Sequence, residues 1–233
     1  TASPGVMRPP SAARARIASV IRVRLSGASG PMIGHPSRAR LPRMAEHALK
    51  EWAVTVAALA EGAQVLIVRK GGIGEKRFEL PHPRFFLFPT YEHQRPELVK
   101  PDFRDRFAAP LGRRDDPDEL PLPAYAEIRS AHPIADPDAL RAIDPLHILT
   151  RDYAEERLRW RRKHPLWAVV LRVWRVADPP VLRVGDEHRG CVSWVGLPPG
   201  IAARGLVPAL GDDAFAAAAE DVAAALAAAG VTG

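Results

Sequence analysis

The sequence predicts an α+β fold: a single domain with a mixed, mostly antiparallel sheet flanked by helices, after a disordered N-terminal leader. Extended apolar segments occur in two groups, helical patterns lie before, between and after them, and no segment repeats. Chains in which strands and helices segregate in this way pack helices against a sheet. The 233 residues are enough for one domain with a sizeable core.

The charge of the chain is concentrated at its beginning. Residues 1–43 contain eight arginines, no lysine and no acid, and therefore carry a net charge of +8. Residues 44–233 carry a net charge of −2, which gives +6 for the whole chain. This Pro-, Ala- and Arg-rich stretch is too poor in apolar residues to offset its ordering entropy, and we expect it to be disordered. We expect translation to start at Met44, with an organelle transit peptide as the alternative.

The first elements of the domain are read from residue 44 onwards. Residues 45–52, "AEHALKEW", favour a short helix. Residues 53–72 favour two extended segments joined by a turn at Glu61 and Gly62, which predicts a hairpin. Residues 84–91, "RFFLFPTY", predict a third strand that ends at Pro89, because proline cannot donate to a ladder.

The middle of the chain alternates charged loops with clearer elements. Residues 95–107 predict a broken helix and residues 112–123 a solvated loop, and the alternation in residues 124–134 predicts a strand. A helix follows, with Asp136 as its N-cap and Pro137 in its first turn. A second helix runs over residues 150–163, with Thr150 as its cap.

The strongest strand is "HPLWAVVLRVWRV", residues 164–176, in which Arg172 and Arg175 indicate half-exposed positions. Residues 190–197 predict a short final strand. An Ala-rich helix spans residues 208–230, since acids at its start and Gly230 at its end are typical of helix termini. Glu220 and Asp221 interrupt its apolar run, so no membrane span is expected.

Five peptides, taken together, resemble a known prokaryotic family. They are "KEW" (50–52), "RKGGI" (69–73), "FFLFPTYEHQ" (85–94), "HPLWAVVLRVWRV" (164–176) and "GCVSWVGL" (190–197). In this order they resemble the family catalogued as domain of unknown function 1802, over about residues 45–200. The resemblance implies a cytoplasmic single-domain protein in a restriction-modification context, and it assigns no catalytic residue. A single cysteine, Cys191, fits a reducing compartment.

The glycine-rich turn that begins with "RKGG" is the first candidate binding segment. Backbone N–H groups at Gly71 and Gly72 are suited to a phosphate, and Arg69 and Lys70 add positive charge. The sequence lacks the ending of a P-loop. A tight turn after a strand, with a glycine at positive φ, is the alternative.

The second candidate follows a strand end, where loops keep side chains accessible. In "PTYEHQ", His93 is suited to general-base chemistry, with Glu92 as orienter or second acid and Gln94 as a ligand-binding residue. A metal site that includes His82 is a further alternative. The structural alternative is that His93 and Gln94 hydrogen-bond the loop backbone and hold the turn.

A basic cluster with an aromatic residue inside it is the third candidate. It consists of Arg157, Arg159, Trp160, Arg161, Arg162 and Lys163. Cations of this kind bind phosphates, and an indole ring stacks on bases. A solvated helix end whose cations complement the helix dipole is the alternative.

These features lead to two hypotheses. The first is a cytoplasmic accessory module that binds nucleic acid or a nucleotide, with no cofactor identified and the oligomeric state left open. The second is a metal-dependent hydrolase or nuclease that uses Glu92, His93 and Glu127 with Mg²⁺. Asp102, Glu127 and Arg129 are the residues that match the Pro-Asp…Asp/Glu-x-Lys pattern of nucleases, but Arg129 stands where that pattern has a lysine. Cys191 with Ser193 is a weaker nucleophile candidate, and a buried thiol is its alternative.

Overall fold

The computed structural model describes residues 45–70, 78–112, 116, 118–159 and 165–231. Several of the predicted features lie outside these residues. They are the leader, Gly71 and Gly72 of the glycine turn, and the run from Trp160 to Lys163.

Nine strands and six helices make up the described regions, apart from short 3₁₀ turns. The strands are β1 (His47–Trp52), β2 (Leu66–Arg69), β3 (Arg84–Thr90), β4 (Glu119–Pro121), β5 (Ala124–Ile134), β6 (Leu166–Val176), β7 (Val181–Arg183), β8 (Trp194–Gly196) and β9 (Leu206–Pro208). The helices are α1 (Ala53–Ala60), α2 (Pro101–Arg104), α3 (Ala108–Leu111), α4 (Pro137–Ile143), α5 (Arg151–Arg159) and α6 (Asp212–Ala228).

The predicted α+β class is confirmed by a mixed, mostly antiparallel sheet with helices against it. Within the described residues the main sheet has seven strands in the order β2-β6-β5-β3-β1-β8, and β9 also pairs with β6. Only β1 and β3 run parallel in this sheet. Strands β4 and β7 form a separate two-stranded sheet.

The prediction for residues 45–60 is wrong, because strand and helix are exchanged. The predicted helix contains strand β1, and the first half of the predicted hairpin is helix α1. Seven of the eight residues of α1 are buried, so its sequence is apolar on every face and has no helical periodicity to read. Strand β1 is rich in good helix formers, and pairing with β3 and β8 on both sides overrides that propensity.

A glycine ends α1 at the place where the sequence predicts a turn. The N–H of Gly62 donates to the carbonyl of Leu59 at 3.1 Å, and the N–H of Ala63 donates to that of Ala58 at 2.8 Å. These two bonds define a Schellman motif, which requires positive φ at the glycine, here +70°. The turn therefore joins a helix to a strand and not two strands.

The elements from β3 onwards follow the sequence more closely. The segment predicted as a broken helix contains a 3₁₀ turn at Pro96–Leu98 and helix α2, with α3 directly after it, and the strand predicted over 124–134 is β5. The carboxylate of Asp136 accepts from the N–H of Asp138 at 2.7 Å, which confirms this N-cap. Strand β3 continues past Pro89 to Thr90, whose hydroxyl donates to the carbonyl of Glu51 at 3.0 Å.

Strand β6 and helix α6 are held together by an arginine that the sequence places in a half-exposed position. Arg172 is buried, and its guanidinium donates to the carboxylate of Asp212 at 2.7 Å and lies 4.7 Å from the ring of Phe215. On α6, Val222 and Leu226 are buried against the core. Of the described helices, none has the length and apolar character to cross a membrane.

Substituting Gly62 tests the end of α1. A Cβ at this position would lie 2.7 Å from the Leu210 side chain and 2.9 Å from the carbonyl of Ala209. Because the backbone at Gly62 is left-handed and the added Cβ would overlap its neighbours, we expect Gly62→Ala to lower the free energy of unfolding by roughly 2–3 kcal/mol. Urea titrations measure this loss.

Gly230 is the matched control, because it also has positive φ in the turn after a helix but nothing within 4 Å of its Cβ position. Gly230→Ala is expected to cost only about 1 kcal/mol. Equal losses for both variants would contradict the close packing described at Gly62.

A buried histidine lies in the connection between α4 and α5. His147 is 3% exposed, and the ammonium of Lys100 donates to its backbone carbonyl at 2.7 Å and to that of Asp144. Burial, reinforced by the positive charge of Lys100 and opposed by Asp144, lowers the pKa of His147 from 6.5 to about 4. The imidazole is therefore neutral in the folded protein at neutral pH.

This depressed pKa predicts a loss of stability in acid. The unfolded chain binds a proton on His147 near pH 6.5 and the folded chain only near pH 4, so the unfolded state is favoured as the pH falls through that window. Relative to His147→Gln, the wild-type free energy of unfolding should fall by roughly 3 kcal/mol between about pH 7 and pH 4. Parallel pH profiles for the two proteins would refute this role for His147.

Candidate functional site

The two ends of the main sheet meet at a buried ion pair. The guanidinium of Arg69, the last residue of β2, lies 3.3 Å from the carboxylate of Glu51 in β1 and donates to the hydroxyl of Ser193, next to β8, at 2.9 Å. In a flat sheet, four strand spacings would separate β2 from β1 by about 19 Å, which is more than these side chains span. The sheet is therefore strongly curved, and Arg69 bridges its two edges.

The cationic pair predicted as a phosphate ligand is occupied within the protein. Arg69 is engaged by Glu51 and Ser193, and its guanidinium also lies 5.7 Å from the ring of Phe78. Lys70 is 3% exposed, and its ammonium donates to the carbonyl of Leu158 near the end of α5 at 2.9 Å. Both side chains therefore stabilise the fold and are not available at the surface for a ligand.

The loop after β3 divides into residues with different roles. Gln94 accepts from the N–H of Val54, in the first turn of α1, at 2.9 Å and donates to the carbonyl of Pro110 at 3.0 Å. These two bonds fit the structural alternative for Gln94. His93 is exposed, and among the described residues it is the only one other than glycine with positive φ, at 63°. Such backbone is strained for a side chain with a Cβ and recurs at functional positions.

The same loop contacts the helix that leads into the basic cluster. Arg95 donates to the carboxylate of Glu156 on α5 at 2.8 Å. Arg157 lies 4.8 Å from the ring of Tyr153, and Arg159 forms an i,i+4 pair with Glu155 at 3.4 Å. Of the predicted nucleic-acid residues, Arg157 and Arg159 are described, and both lie on the last turn of α5.

A cleft that the sequence does not predict lies beside the first residues of this loop. Its volume is about 190 Å³. It is lined by Lys50, Phe88, Pro89, Thr90, Tyr91, Glu92, Val184, His188 and Arg189. Only Glu92 of these belongs to the predicted site. Treating "KEW" as a strand would have indicated that Lys50 and Glu51 serve different surfaces, because consecutive residues of a strand point to opposite faces.

The cation at the base of the cleft is almost buried. The ammonium of Lys50 donates to the carbonyl of Gly190 at 3.0 Å and lies 5.4 Å from the centre of the Phe88 ring. Burial lowers the pKa of Lys50, and the charges of Glu92 and Cys191 act in the opposite direction. Cys191 is exposed, against the alternative of a buried thiol, whereas Ser193 is buried.

The residues of the hydrolase hypothesis are not brought together. Glu127 pairs in register with Arg84 at the first residue of β3, and its carboxylate contacts Arg84 at 3.0 Å and Arg129 at 2.9 Å. Glu92 follows the opposite end of β3, about 25 Å away along an extended strand. Asp102 lies on α2, apart from β5. The described residues contain no group of three or more His, Cys, Asp or Glu side chains arranged to hold a metal ion.

Comparison with known proteins gives a family. No curated protein and no solved structure matches the chain significantly. The sequence profile described as a domain of unknown function, DUF1802, matches residues 48–221, which include all five peptides of the resemblance and most of the described fold. The chain belongs to the DUF1802 family.

Proposed function

We propose that the protein is an accessory module that binds nucleic acid through a surface at the end of α5. The observation that supports the proposal is the contact between three candidate segments. Lys70, at the start of the glycine turn, bonds the carbonyl of Leu158, and Arg95 of the loop after β3 pairs with Glu156. The end of α5 is thereby fixed against both neighbouring segments, and its cations extend from a rigid base.

The charge on α5 is asymmetric in a way that suits a phosphate backbone. Of the three acids of the helix, Asp152 lies in its first turn, and Glu155 and Glu156 pair with Arg159 and Arg95. In the sequence, Arg159 is followed by an aromatic residue and three further cations. Cations spaced this closely release counterions when they neutralise phosphates, and an indole among them stacks on an unpaired base.

The cellular context of the proposal rests on the family. Resemblance to this family implies a cytoplasmic protein in a restriction-modification setting, where an accessory module would hold the nucleic acid. Binding without catalysis also agrees with the distance between Glu92 and Glu127 on opposite ends of β3.

The binding test uses the full chain and fluorescently labelled single-stranded and duplex DNA in a salt series. We expect log affinity to fall linearly with log salt concentration. The double variant Arg159→Ala/Arg162→Ala should weaken binding on all sequences and reduce the magnitude of the slope by about 1 to 2, since each lost phosphate contact removes about one counterion.

Arg129→Ala is the matched control, because Arg129 is an exposed arginine that pairs with a glutamate, as Arg159 does, but lies on β5 far from α5. Its affinity and salt slope should equal those of the wild type. The proposal fails if DNA does not bind at about 50 mM salt, or if Arg129→Ala weakens binding as much as the α5 variant does.

A further inference from the structure

We propose that the cleft lined by Lys50, Glu92 and Arg189 binds a small phosphate monoester that also carries hydroxyl groups, such as a pentose phosphate. None of the residues that line the cleft belongs to the proposed nucleic-acid interface. Its volume of about 190 Å³ is below the roughly 300 Å³ at which pockets for drug-sized ligands begin, so the ligand is compact.

The buried ammonium of Lys50 determines the charge of the ligand. To the residues that the structure describes it makes one hydrogen bond, with the carbonyl of Gly190, although an ammonium group has three donors. Within the described part of the chain no carboxylate lies at ion-pair distance from it. A nearly buried cation without an ion pair is costly, and burial lowers its pKa accordingly. An anion in the cleft would stabilise the charged form of Lys50, which burial disfavours.

A second cation favours phosphate over carboxylate. Arg189 lines the cleft with its side chain 57% exposed, and its ion pairs with described residues are long, to Asp118 at 3.6 Å and to Asp186 at 3.5 Å. An exposed guanidinium in ion pairs of this length can turn towards a ligand. A phosphate has three terminal oxygens and close to two negative charges, so one group satisfies both Lys50 and Arg189.

Glu92 explains why the ligand needs hydroxyl groups as well. Its carboxylate lines the same cleft and interacts electrostatically with Lys50 without forming an ion pair. The space between these two charges accepts a molecule whose phosphate faces Lys50 and whose hydroxyls donate to Glu92. Phe88 and His188, whose rings are inclined by 23° with centres 6.4 Å apart, contribute flat ring surface to the lining, next to the apolar side chain of Val184.

Calorimetry on the full chain with three probes tests the assignment. Ribose 5-phosphate should bind, inorganic phosphate should bind more weakly, and ribose should bind at least about tenfold more weakly than its 5-phosphate, because it lacks the charged group. Lys50→Met should reduce affinity for ribose 5-phosphate by at least about tenfold. Glu92→Gln should weaken binding of ribose 5-phosphate a few-fold but not that of inorganic phosphate, which has no sugar hydroxyls.

The one cysteine of the chain supplies an independent readout. Cys191 is exposed and follows Gly190, whose carbonyl holds Lys50. Ribose 5-phosphate should slow alkylation of this thiol in the wild type and leave the rate unchanged in Lys50→Met. Binding without any effect on the thiol would place the sugar phosphate elsewhere and overturn the proposal, as would ribose binding as tightly as its 5-phosphate.

A second variant covers the case in which Lys50→Met does not fold. Arg189→Ala removes an exposed side chain and should keep the fold while weakening binding of ribose 5-phosphate about threefold. Unchanged affinity in Arg189→Ala, or in a folded Lys50→Met, contradicts the site. The α5 variant Arg159→Ala/Arg162→Ala should bind ribose 5-phosphate as the wild type does, so the two proposals succeed or fail separately.

Discussion

The ion pair between Glu51 and Arg69 is the interaction on which the shape of the protein depends. It joins β2, at one edge of the main sheet, to β1 and the start of β8 at the other. The side chains of both residues are nearly inaccessible, at 3% and 11% exposure. Charges removed from water in this way stabilise a fold only as a matched pair, because either one alone would remain buried without a counterion.

The curvature imposed at this point creates an inner face that one helix covers. Leu49 of β1, Ile67 of β2 and Phe85 of β3 belong to one core cluster together with Val56 and Leu59 of α1. Other residues of α1, including Val54 and Ala58, pack in the cluster that contains α4, α5 and α6. Helix α1 is thus enclosed between the sheet and the outer helices, which is why its sequence is apolar on all sides.

The three residues "KEW" show how the fold connects the candidate surfaces. Lys50 faces the cleft, Glu51 closes the sheet, and Trp52 packs against Tyr153 of α5 with ring centres 4.9 Å apart. Tyr153 in turn lies under Arg157 on the proposed nucleic-acid surface. Lys50 and Trp52 are two residues apart in the strand and point to one face, so β1 positions the cleft and the base of α5 on the same side of the sheet, while Glu51 points to the other side.

Much of the fold could be predicted wherever local chemistry and tertiary environment agree. Strand β6 is a long apolar run between two neighbouring strands, and α4 has the N-cap, Asp136, that its sequence indicates. The prediction failed at β1, because Lys50 and Glu51 are charged residues that lie buried in a strand paired on both sides. Charged residues next to apolar ones are typical of the exposed face of a helix. Arg172 was misplaced for the same reason, since a long-range partner, Asp212, allows it to be buried.

The candidate site was predictable only in part, because its residues meet through contacts distant in sequence. The importance of the loop after β3 follows from its position at a strand end, and Glu92 does line a cleft. Its partners Lys50 and Arg189 come from segments about 40 and 100 residues away, and no spacing rule relates them. Arg69 and Lys70 looked like surface cations because their acceptors, on β1 and α5, are invisible in the local sequence.

A double-mutant cycle on Glu51 and Arg69 tests the central claim most directly. Glu51→Gln and Arg69→Met should each lower the free energy of unfolding by roughly 3–5 kcal/mol, and the double variant should lose clearly less than the sum. The exposed pair Arg106 and Glu61, in contact at 3.1 Å, should show a coupling below about 1 kcal/mol. Additivity of the Glu51 and Arg69 losses to within about 0.5 kcal/mol would contradict the account.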